Sequence, residues 1–252
     1  MESLVALLNQ NLIYTFLLLF ARVLAFMAFM PIFGHESVKP TLRVALTFYL
    51  SIFLFPLVDT TTNLSNMSEN QFLLSILGEI TLGLVSAALV QIIFSAVQII
   101  GDLIGMATAL SMASMFDPAT GTKQGVVSRF LYMLVLVLYF QTGMYEVTLV
   151  MLKSSFSMIH LGQFNIFDYN ILAIATQEVS NMFVFAFSFA FPLFFIAFIL
   201  DIYYGYGTKS MPSFSPFVLT FQIKFTLIFV FLMLGLNIFA TSFEAYFLNK
   251  FS

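Results

Sequence analysis

The feature that most constrains the fold is a series of uncharged apolar runs that are as long as a membrane is thick. Val179–Leu200 contains 22 residues without a charged side chain, and Ile80–Gly101 is equally free of charge. About 20 apolar residues in a helix cross the ~30 Å hydrocarbon core of a bilayer. An unpaired strand in that core would leave its backbone groups without hydrogen bonds, so these runs must be helical. The sequence therefore predicts an all-α, polytopic integral membrane protein.

Composition excludes several classes of function. The chain is 61% hydrophobic and 8% charged, about a third of the charge of a soluble domain. It has no basic cluster for nucleic acid and no cysteine, and its two histidines, His35 and His160, are too far apart in sequence to suggest a zinc site. Asp102 and Asp201 each end an apolar run, but Asp102 follows Ile99-Ile100-Gly101 and so lacks the earlier glycine of the GxGD signature of intramembrane aspartyl proteases. No hydrolase or P-loop motif occurs, so we expect no enzymatic activity and no cofactor.

Six long apolar segments divide the chain, and we predict that they form one membrane domain over residues 1–252. Phenylalanine alternates along the fifth segment, and we interpret that segment as a helix because the residues between are not polar. The predicted segments are Leu12–Phe33, Val44–Val58, Phe72–Ile100, Val126–Leu152, Val179–Leu200 and Phe217–Phe247.

Charged residues inside or beside these segments are predicted to be buried or to contact other subunits. Arg22 lies in the middle of the first segment, where facing lipid would cost at least ~2.5 kcal/mol. We therefore expect an acidic partner, either Glu79 or a carboxylate of another subunit. Arg43 opens the second segment and Asp102 closes the third. Lys and Arg are spread almost evenly over the connectors, which gives a weak orientation signal and favours helices held by neighbouring subunits.

The stretch Gly101–Gly125 interrupts the pattern most clearly. One interpretation is a re-entrant, movable loop, because Met106, Met112 and Met115 are adaptable apolar side chains. The other is a helix end followed by a hairpin turn, because glycine and proline permit chain reversal. Gly101 and Gly105 form a GxxxG pair, which is a helix-packing motif but is common by chance. A second interruption is predicted at Asp201–Pro216.

A series of residues recurs in a characteristic order along the chain: Arg22, Pro31, Ile32, Phe33, Gly34, Pro40 and Arg43; Gly78, Glu79 and Gly83; Gly101, Gly105, Ser111, Asp117, Pro118 and Gly121; and Ser155, Phe156 and Gly162. In this order and spacing, the residues resemble the flagellar biosynthetic protein FliR family, whose members are subunits of the type III protein export gate. The resemblance covers essentially the whole chain. One departure is Lys209-Ser210-Met211-Pro212, where the family usually has an arginine before the proline.

The resemblance implies helix hairpins packed in a helical, multi-subunit gate in the bacterial inner membrane, at the flagellar basal body. FliP-like and FliQ-like subunits would be direct partners, FlhB-like and FlhA-like components would join them, and unfolded flagellar proteins would pass through the pore. The pore plug would comprise Met106, Met112, Met115 and Phe116, with hinge or turn residues Gly101, Gly105, Asp117, Pro118 and Gly121. The alternative from the residues alone is a secondary transporter for ions or small solutes, because its spans would also carry charges and glycine or proline breaks.

Overall fold

In a computed structural model, the described residues (10–34, 38–58, 67–108, 125–164, 170–210 and 216–251) form helices and short connections, with no strand among them. A 3₁₀ turn, Phe55–Leu57, extends the second helix. Five helical stretches in this part of the chain are long and apolar enough to cross a membrane, or six if α4 and α5 are counted as one span. The predicted all-α membrane architecture is therefore confirmed. The helices are α1 Gln10–Phe29, α2 Pro40–Leu54, α3 Glu69–Ala107, α4 Val126–Gln141, α5 Met144–Met158, α6 Ile171–Ser210 and α7 Pro216–Phe251.

The first of two compact units comprises Met1–Ile92 and Tyr145–Glu178. Phe16 of α1 packs edge-on against Phe48 of α2 and Phe55 of the following turn. Gly83 allows α3 to approach α1 closely, because a Cβ atom at this position would lie 2.8 Å from the Cβ of Ala25. Fully buried apolar side chains of α1 form the centre of this unit: Leu18, Leu19, Val23 and Phe26.

The second unit comprises Ile93–Met144 and Val179–Ser252. Its centre is aromatic: the buried ring of Phe94 on α3 meets Tyr132 and Tyr139 of α4 and Phe243 of α7 edge-on, with ring centroids 5.8–6.0 Å apart. Such edge-to-face pairs each contribute about 0.5–1.5 kcal/mol beyond the burial of their area. These contacts explain how helices with almost no charged residues still pack in one arrangement.

The alternating phenylalanines lie on a helix, as the sequence predicts, and α6 continues beyond them. Phe185 stacks on Tyr246 with centroids 4.5 Å apart, and Phe189 meets Phe239 at 4.9 Å. The three other phenylalanines of the alternating series are exposed: Phe183, Phe187 and Phe191. Residues four apart share a helix face, so α6 has one aromatic face packed within its unit and another that this chain leaves uncovered.

Both predicted interruptions begin too early, because a helix continues into each of them. Helix α3 runs through Gly101 and Gly105 to Ala107, and α6 runs past Asp201 to Ser210. Glycine costs only ~1 kcal/mol within a helix, so a glycine alone does not end one.

The predicted continuous run Val126–Leu152 is broken instead. Helix α4 ends at Gln141 and α5 begins at Met144. Gly143 lies between them with a φ of 76°, in the left-handed region that glycine enters without strain. The break therefore falls where the chain offers the one residue type suited to it.

Candidate functional site

The charged side chain of α1, Arg22, is buried and is paired with Glu79 of α3. The Arg22 Nε atom donates to Glu79 Oε2 at 2.5 Å, and the two side chains are 1% and 0% exposed. This is the pairing that the cost of a mid-helix arginine led us to expect. A carboxylate and a guanidinium that are both removed from water need each other and further hydrogen bonds.

Helix α5 and the segment after it supply those further hydrogen bonds. Arg22 Nη1 donates to the carbonyl oxygen of Ser155 at 3.0 Å, and Nη2 donates to that of Ile159 at 3.0 Å. Ser155 is in the last turn of α5 and Ile159 directly follows the helix, and a positive charge is favourable at this end of a helix. The Arg22 guanidinium also lies 4.5 Å from the ring centroid of Phe156, within the range of a cation–π contact.

The second oxygen of Glu79 holds the chain just after α5. Glu79 Oε1 accepts a hydrogen bond from the Gly162 backbone N–H at 2.8 Å. The neighbouring residue, Gly78, allows a close approach, since a Cβ atom there would lie 3.0 Å from the Phe164 carbonyl oxygen. Two charged side chains therefore join α1, α3 and α5. We call this set the Arg22–Glu79 network: Arg22, Glu79, Ser155, Phe156, Ile159 and Gly162.

Arg43 has a different environment from Arg22. Its Nε atom donates to the Phe33 carbonyl oxygen at 2.8 Å, and the side chain is only partly buried. Arg43 follows Pro40, the first residue of α2, so this bond ties the start of α2 to the turn after α1.

Asp102 is exposed in this chain, so its predicted contact with another subunit stays a prediction. Its carboxylate accepts a hydrogen bond from the hydroxyl of Ser128, a residue of α4 that is 1% exposed. Gly101 lies against the same serine, because a Cβ atom at Gly101 would be 2.6 Å from the Ser128 backbone nitrogen. Around Gly105, no heavy atom lies within 4 Å of the corresponding position. Among the described residues, Gly101 alone of the GxxxG pair therefore makes a close helix contact.

The predicted plug residues are only partly within the described structure. Met106 lies on α3 with 56% of its surface exposed. The others fall outside the described residues: Met112, Met115, Phe116, Asp117, Pro118 and Gly121. Gly101 and Gly105 are inside a helix, so within the described structure they are not loop residues.

Sequence reasoning missed two polar contacts in the second unit and one acceptor in the first. Lys224 of α7 forms an ion pair with Asp201 of α6, and Ser128 binds Asp102. Lys224, Asp201 and Asp102 each lie in or beside an apolar run. A charged residue in such surroundings needs a polar partner, so their positions could have indicated these contacts. The carbonyl of Ile159 carried no signal, because every residue has a carbonyl. Among the described residues, no group of three potential metal ligands is present.

Comparison with known families assigns the class of protein. The family described as "Bacterial export proteins, family 1" matches residues 13–249, and the chain belongs to it. The matching relatives carry one name, flagellar biosynthetic protein FliR. The protein of that name from Bacillus subtilis is 26% identical over 230 residues, covering 90% of this chain and 88% of the relative.

Two further relatives of the same name come from distant bacteria. The Aquifex aeolicus protein is 25% identical over 247 residues, covering 96% of this chain and 93% of its own length. The Escherichia coli protein is 25% identical over 205 residues, covering 81% and 77%. The family resemblance seen in the sequence is thereby confirmed.

Proposed function

We propose that this chain is a core subunit of the flagellar type III protein export channel in the bacterial inner membrane, at the base of the flagellum. It helps to form and seal the pore through which unfolded flagellar proteins pass. Its direct partners are FliP-like and FliQ-like subunits, with FlhB-like and FlhA-like components beside them. The family match and the relatives named flagellar biosynthetic protein FliR support this proposal.

The observation that carries the multi-subunit part is the length of the apolar helices. Helix α6 has 40 residues and is therefore about 60 Å long at 1.5 Å per residue. The hydrocarbon core of a bilayer is only ~30 Å thick. The apolar part of this helix is Ile171–Gly207. Only 22% of its most apolar stretch of 18 residues is buried within the chain. Lipid tails cannot cover the whole of that surface, so other protein subunits must cover the rest.

The buried charges support a gate subunit over a secondary transporter. In a transporter, intramembrane charges face a cavity that the solute enters. Arg22 and Glu79 are closed off at 1% and 0% exposure, and their hydrogen-bonding atoms are already engaged by Ser155, Ile159 and Gly162. They therefore suit a structural role.

The test of the gate assignment is co-purification combined with secretion. We would delete the gene, reintroduce an affinity-tagged copy, and measure which proteins co-purify and whether flagellar proteins reach the medium. We expect FliP-like and FliQ-like subunits in the purified complex and loss of secretion in the deletion strain. A chain that purifies without either partner, in a deletion strain that still secretes flagellar proteins, would contradict the proposal.

For pore sealing, we propose that Met106, Met112, Met115 and Phe116 act as the plug, because apolar constrictions exclude water and ions. Residues 109–116 should be deleted, which leaves α3 complete up to Thr108. The Thr108 hydroxyl donates to the Ile104 carbonyl oxygen at 3.0 Å and so satisfies the end of that helix. We expect an assembled complex that leaks ions. Loss of assembly would assign the segment a scaffolding role, and an assembled complex without a leak would exclude the plug.

A further inference from the structure

We propose that a pocket between the end of α2 and helix α5 binds the headgroup of an anionic phospholipid. This α2–α5 pocket has a volume of about 240 Å³. Its polar side consists of Lys153, Ser154 and Ser157, and its apolar side consists of Leu57, Val58, Val150 and Phe156. All of these residues belong to the first compact unit. The proposal concerns lipid binding and does not depend on the proposed export function.

Lys153 makes the pocket a site for an anion. In the part of the chain that the structure describes, its exposed ammonium group forms no ion pair or hydrogen bond. The acidic residue of α5, Glu146, lies two turns earlier and accepts a hydrogen bond from the Tyr145 hydroxyl at 3.0 Å. An ammonium group carries three N–H donors and no acceptor. A phosphate oxygen in the pocket would accept a charge-assisted hydrogen bond from it.

The two serines of the pocket offer acceptors rather than donors. The Ser154 hydroxyl donates to the Val150 carbonyl oxygen at 2.8 Å, and the Ser157 hydroxyl donates to the Ser154 carbonyl oxygen at 2.8 Å. A hydroxyl has one hydrogen, so the lone pairs of both oxygens remain for a ligand. They suit a headgroup that carries donors next to its phosphate. A glycerol headgroup has such hydroxyls, whereas a choline headgroup has neither N–H nor O–H.

The length of α2 places the pocket at the level of lipid headgroups. The apolar span Pro40–Leu57 has 18 residues, and at 1.5 Å per residue it is about 27 Å long. That length is close to the ~30 Å hydrocarbon core of a bilayer, so the ends of the span lie near the two surfaces of the core. Leu57 and Val58 are at the second end, and the sequence becomes polar directly after them, with Asp59-Thr60-Thr61-Thr62-Asn63.

The apolar side of the pocket favours a lipid over a free phosphate ion. Leu57 is 52% exposed and Val150 is 62% exposed, so both side chains are open to the first acyl carbons of a bound lipid. Burying that apolar surface stabilises the complex with a lipid, whereas a phosphate ion has no apolar part to bury it. One lipid occupies only this end of α2, so partner subunits can still cover the rest of the helix.

The test uses the purified complex, co-expressed with its partners, in mild detergent. It is titrated with short-chain phosphatidylglycerol, and bound molecules are counted by native mass spectrometry. Short-chain phosphatidylcholine is the control lipid, and inorganic phosphate is the competitor. We expect saturable binding of phosphatidylglycerol that phosphatidylcholine does not show and that excess inorganic phosphate does not reverse. Equal binding of the two lipids, or full displacement by inorganic phosphate, would overturn the proposal.

Substitution of the lysine locates the binding in this pocket. Lys153→Gln should weaken phosphatidylglycerol binding about tenfold, because a hydrogen bond between charged groups is lost. Lys153→Arg should retain the binding. The matched control is Lys39→Gln, because Lys39 is an exposed lysine that precedes the opposite end of α2. Unchanged affinity in Lys153→Gln, or an equal loss in Lys39→Gln, would mean that lipid binds by general surface charge and would overturn the site.

Filling the pocket is an independent test, because it leaves the lysine in place. Val150→Phe should abolish phosphatidylglycerol binding, whereas Leu149→Phe, at the neighbouring position outside the pocket, should not. Both side chains are exposed, at 62% and 39%, so we expect an unchanged yield of complex. Binding that persists in Val150→Phe would exclude the pocket as the site. If Val150→Phe does not assemble, Lys153→Gln decides.

Recovery of FliP-like and FliQ-like subunits is measured on the same samples, which keeps this proposal separate from the proposed function. If those subunits are recovered and phosphatidylglycerol does not bind, the lipid site is overturned and the gate assignment stands. If the unmodified complex binds no phosphatidylglycerol and Val150→Phe lowers recovery of a partner, a side chain of that partner fills the pocket. That outcome also overturns the lipid site.

Discussion

At the residue scale, Arg22 shows how a single costly side chain organises its surroundings. Its guanidinium presents hydrogen-bond donors on three nitrogens in a fixed plane. Glu79 takes Nε, and the Ser155 and Ile159 carbonyls take Nη1 and Nη2. One residue therefore binds both a carboxylate of α3 and backbone carbonyls at the C-terminal end of α5. The family landmarks Ser155, Phe156 and Gly162 all contact this pair, which gives their occurrence in the sequence a physical reason.

Replacing Arg22 by alanine should destabilise the chain by ~3–5 kcal/mol, because the fully buried Glu79 carboxylate would be left without a counterion. Glu79→Gln should cost less, since the amide oxygen still accepts from Gly162 or Arg22. The amount of membrane-inserted chain and its resistance to protease, measured with partners co-expressed, report both. Equal resistance in Arg22→Ala and the unmodified chain would contradict the structural role of the network.

Exchanging the two charges should not restore stability. In Arg22→Glu combined with Glu79→Arg, the new carboxylate would face the Ser155 and Ile159 carbonyl oxygens, and the new guanidinium would face the Gly162 N–H. Acceptors would then face acceptors and donors would face donors. We expect the double variant to be no more protease-resistant than Arg22→Glu alone. Full recovery would mean that the attraction between the two charges outweighs the backbone hydrogen bonds.

At the element scale, the long helices are held by a few close contacts at small residues. Gly83 brings α3 against α1 within the first unit, and Gly101 brings it against α4 within the second. Small residues stabilise helix pairs in membranes because they allow such close approach. Gly105, four residues after Gly101, has open space beside it in this chain.

The two glycines of the GxxxG pair should respond oppositely to alanine. Gly101→Ala places a methyl group against the Ser128 backbone, and such overpacking costs about 1–3 kcal/mol. Gly105→Ala meets no atom within 4 Å and gains up to ~1 kcal/mol in helix propensity. The melting temperature of the purified complex distinguishes the two. Equal losses for both substitutions would mean that a partner subunit covers Gly105.

We expect the exposed face of α6, which carries Phe187, to contribute to assembly, and the packed face, which carries Phe189, to contribute to folding. Phe189→Ala removes the ring that packs on the fully buried Phe239, at a cost of up to ~3–5 kcal/mol. Phe187 is 48% exposed, so Phe187→Ala should leave the chain as protease-resistant as before and lower the fraction that co-purifies with partners. Unchanged co-purification of Phe187→Ala would mean that lipid rather than protein covers this face.

The sequence could predict a feature of the fold only where the side chains themselves determine it. The cost of Arg22 in an apolar helix demanded an acidic partner, so its pairing with Glu79 could be predicted. Helix ends were harder to predict, because α3 continues through Gly101 and Gly105 to Ala107 although glycine is often found where helices end. The break at Gly143 was overlooked inside an apolar run, although a Thr-Gly pair marked it. Contacts with backbone carbonyls, such as that of Ile159, cannot be predicted from residue type, because every residue has a carbonyl.

At the scale of the whole molecule, the chain has more apolar surface than it can cover. Helices α3, α6 and α7 have 39, 40 and 36 residues, each well beyond the ~20 residues that span a bilayer. In α1 and α3, the most apolar stretch of 18 residues is 44% buried within the chain. In α6 and α7, the corresponding stretch is only 22% and 17% buried. Pro40–Leu57, which contains α2, is likewise only 17% buried. The deficit therefore lies on α2, α6 and α7, and we propose that partner subunits cover these helices.

The last prediction concerns the isolated chain. Expressed without partners, it should aggregate or be degraded, because the exposed apolar length of α6 and α7 exceeds what a ~30 Å bilayer core can shield. Co-expression with FliP-like and FliQ-like subunits should restore a stable, monodisperse complex, and a truncated chain that ends before α6 should depend less on them. Half-life after a short expression pulse and size-exclusion profiles in mild detergent measure both effects. A protease-resistant monomer obtained without partners would mean that lipid and detergent suffice to cover these helices, and the multi-subunit assignment would then fail.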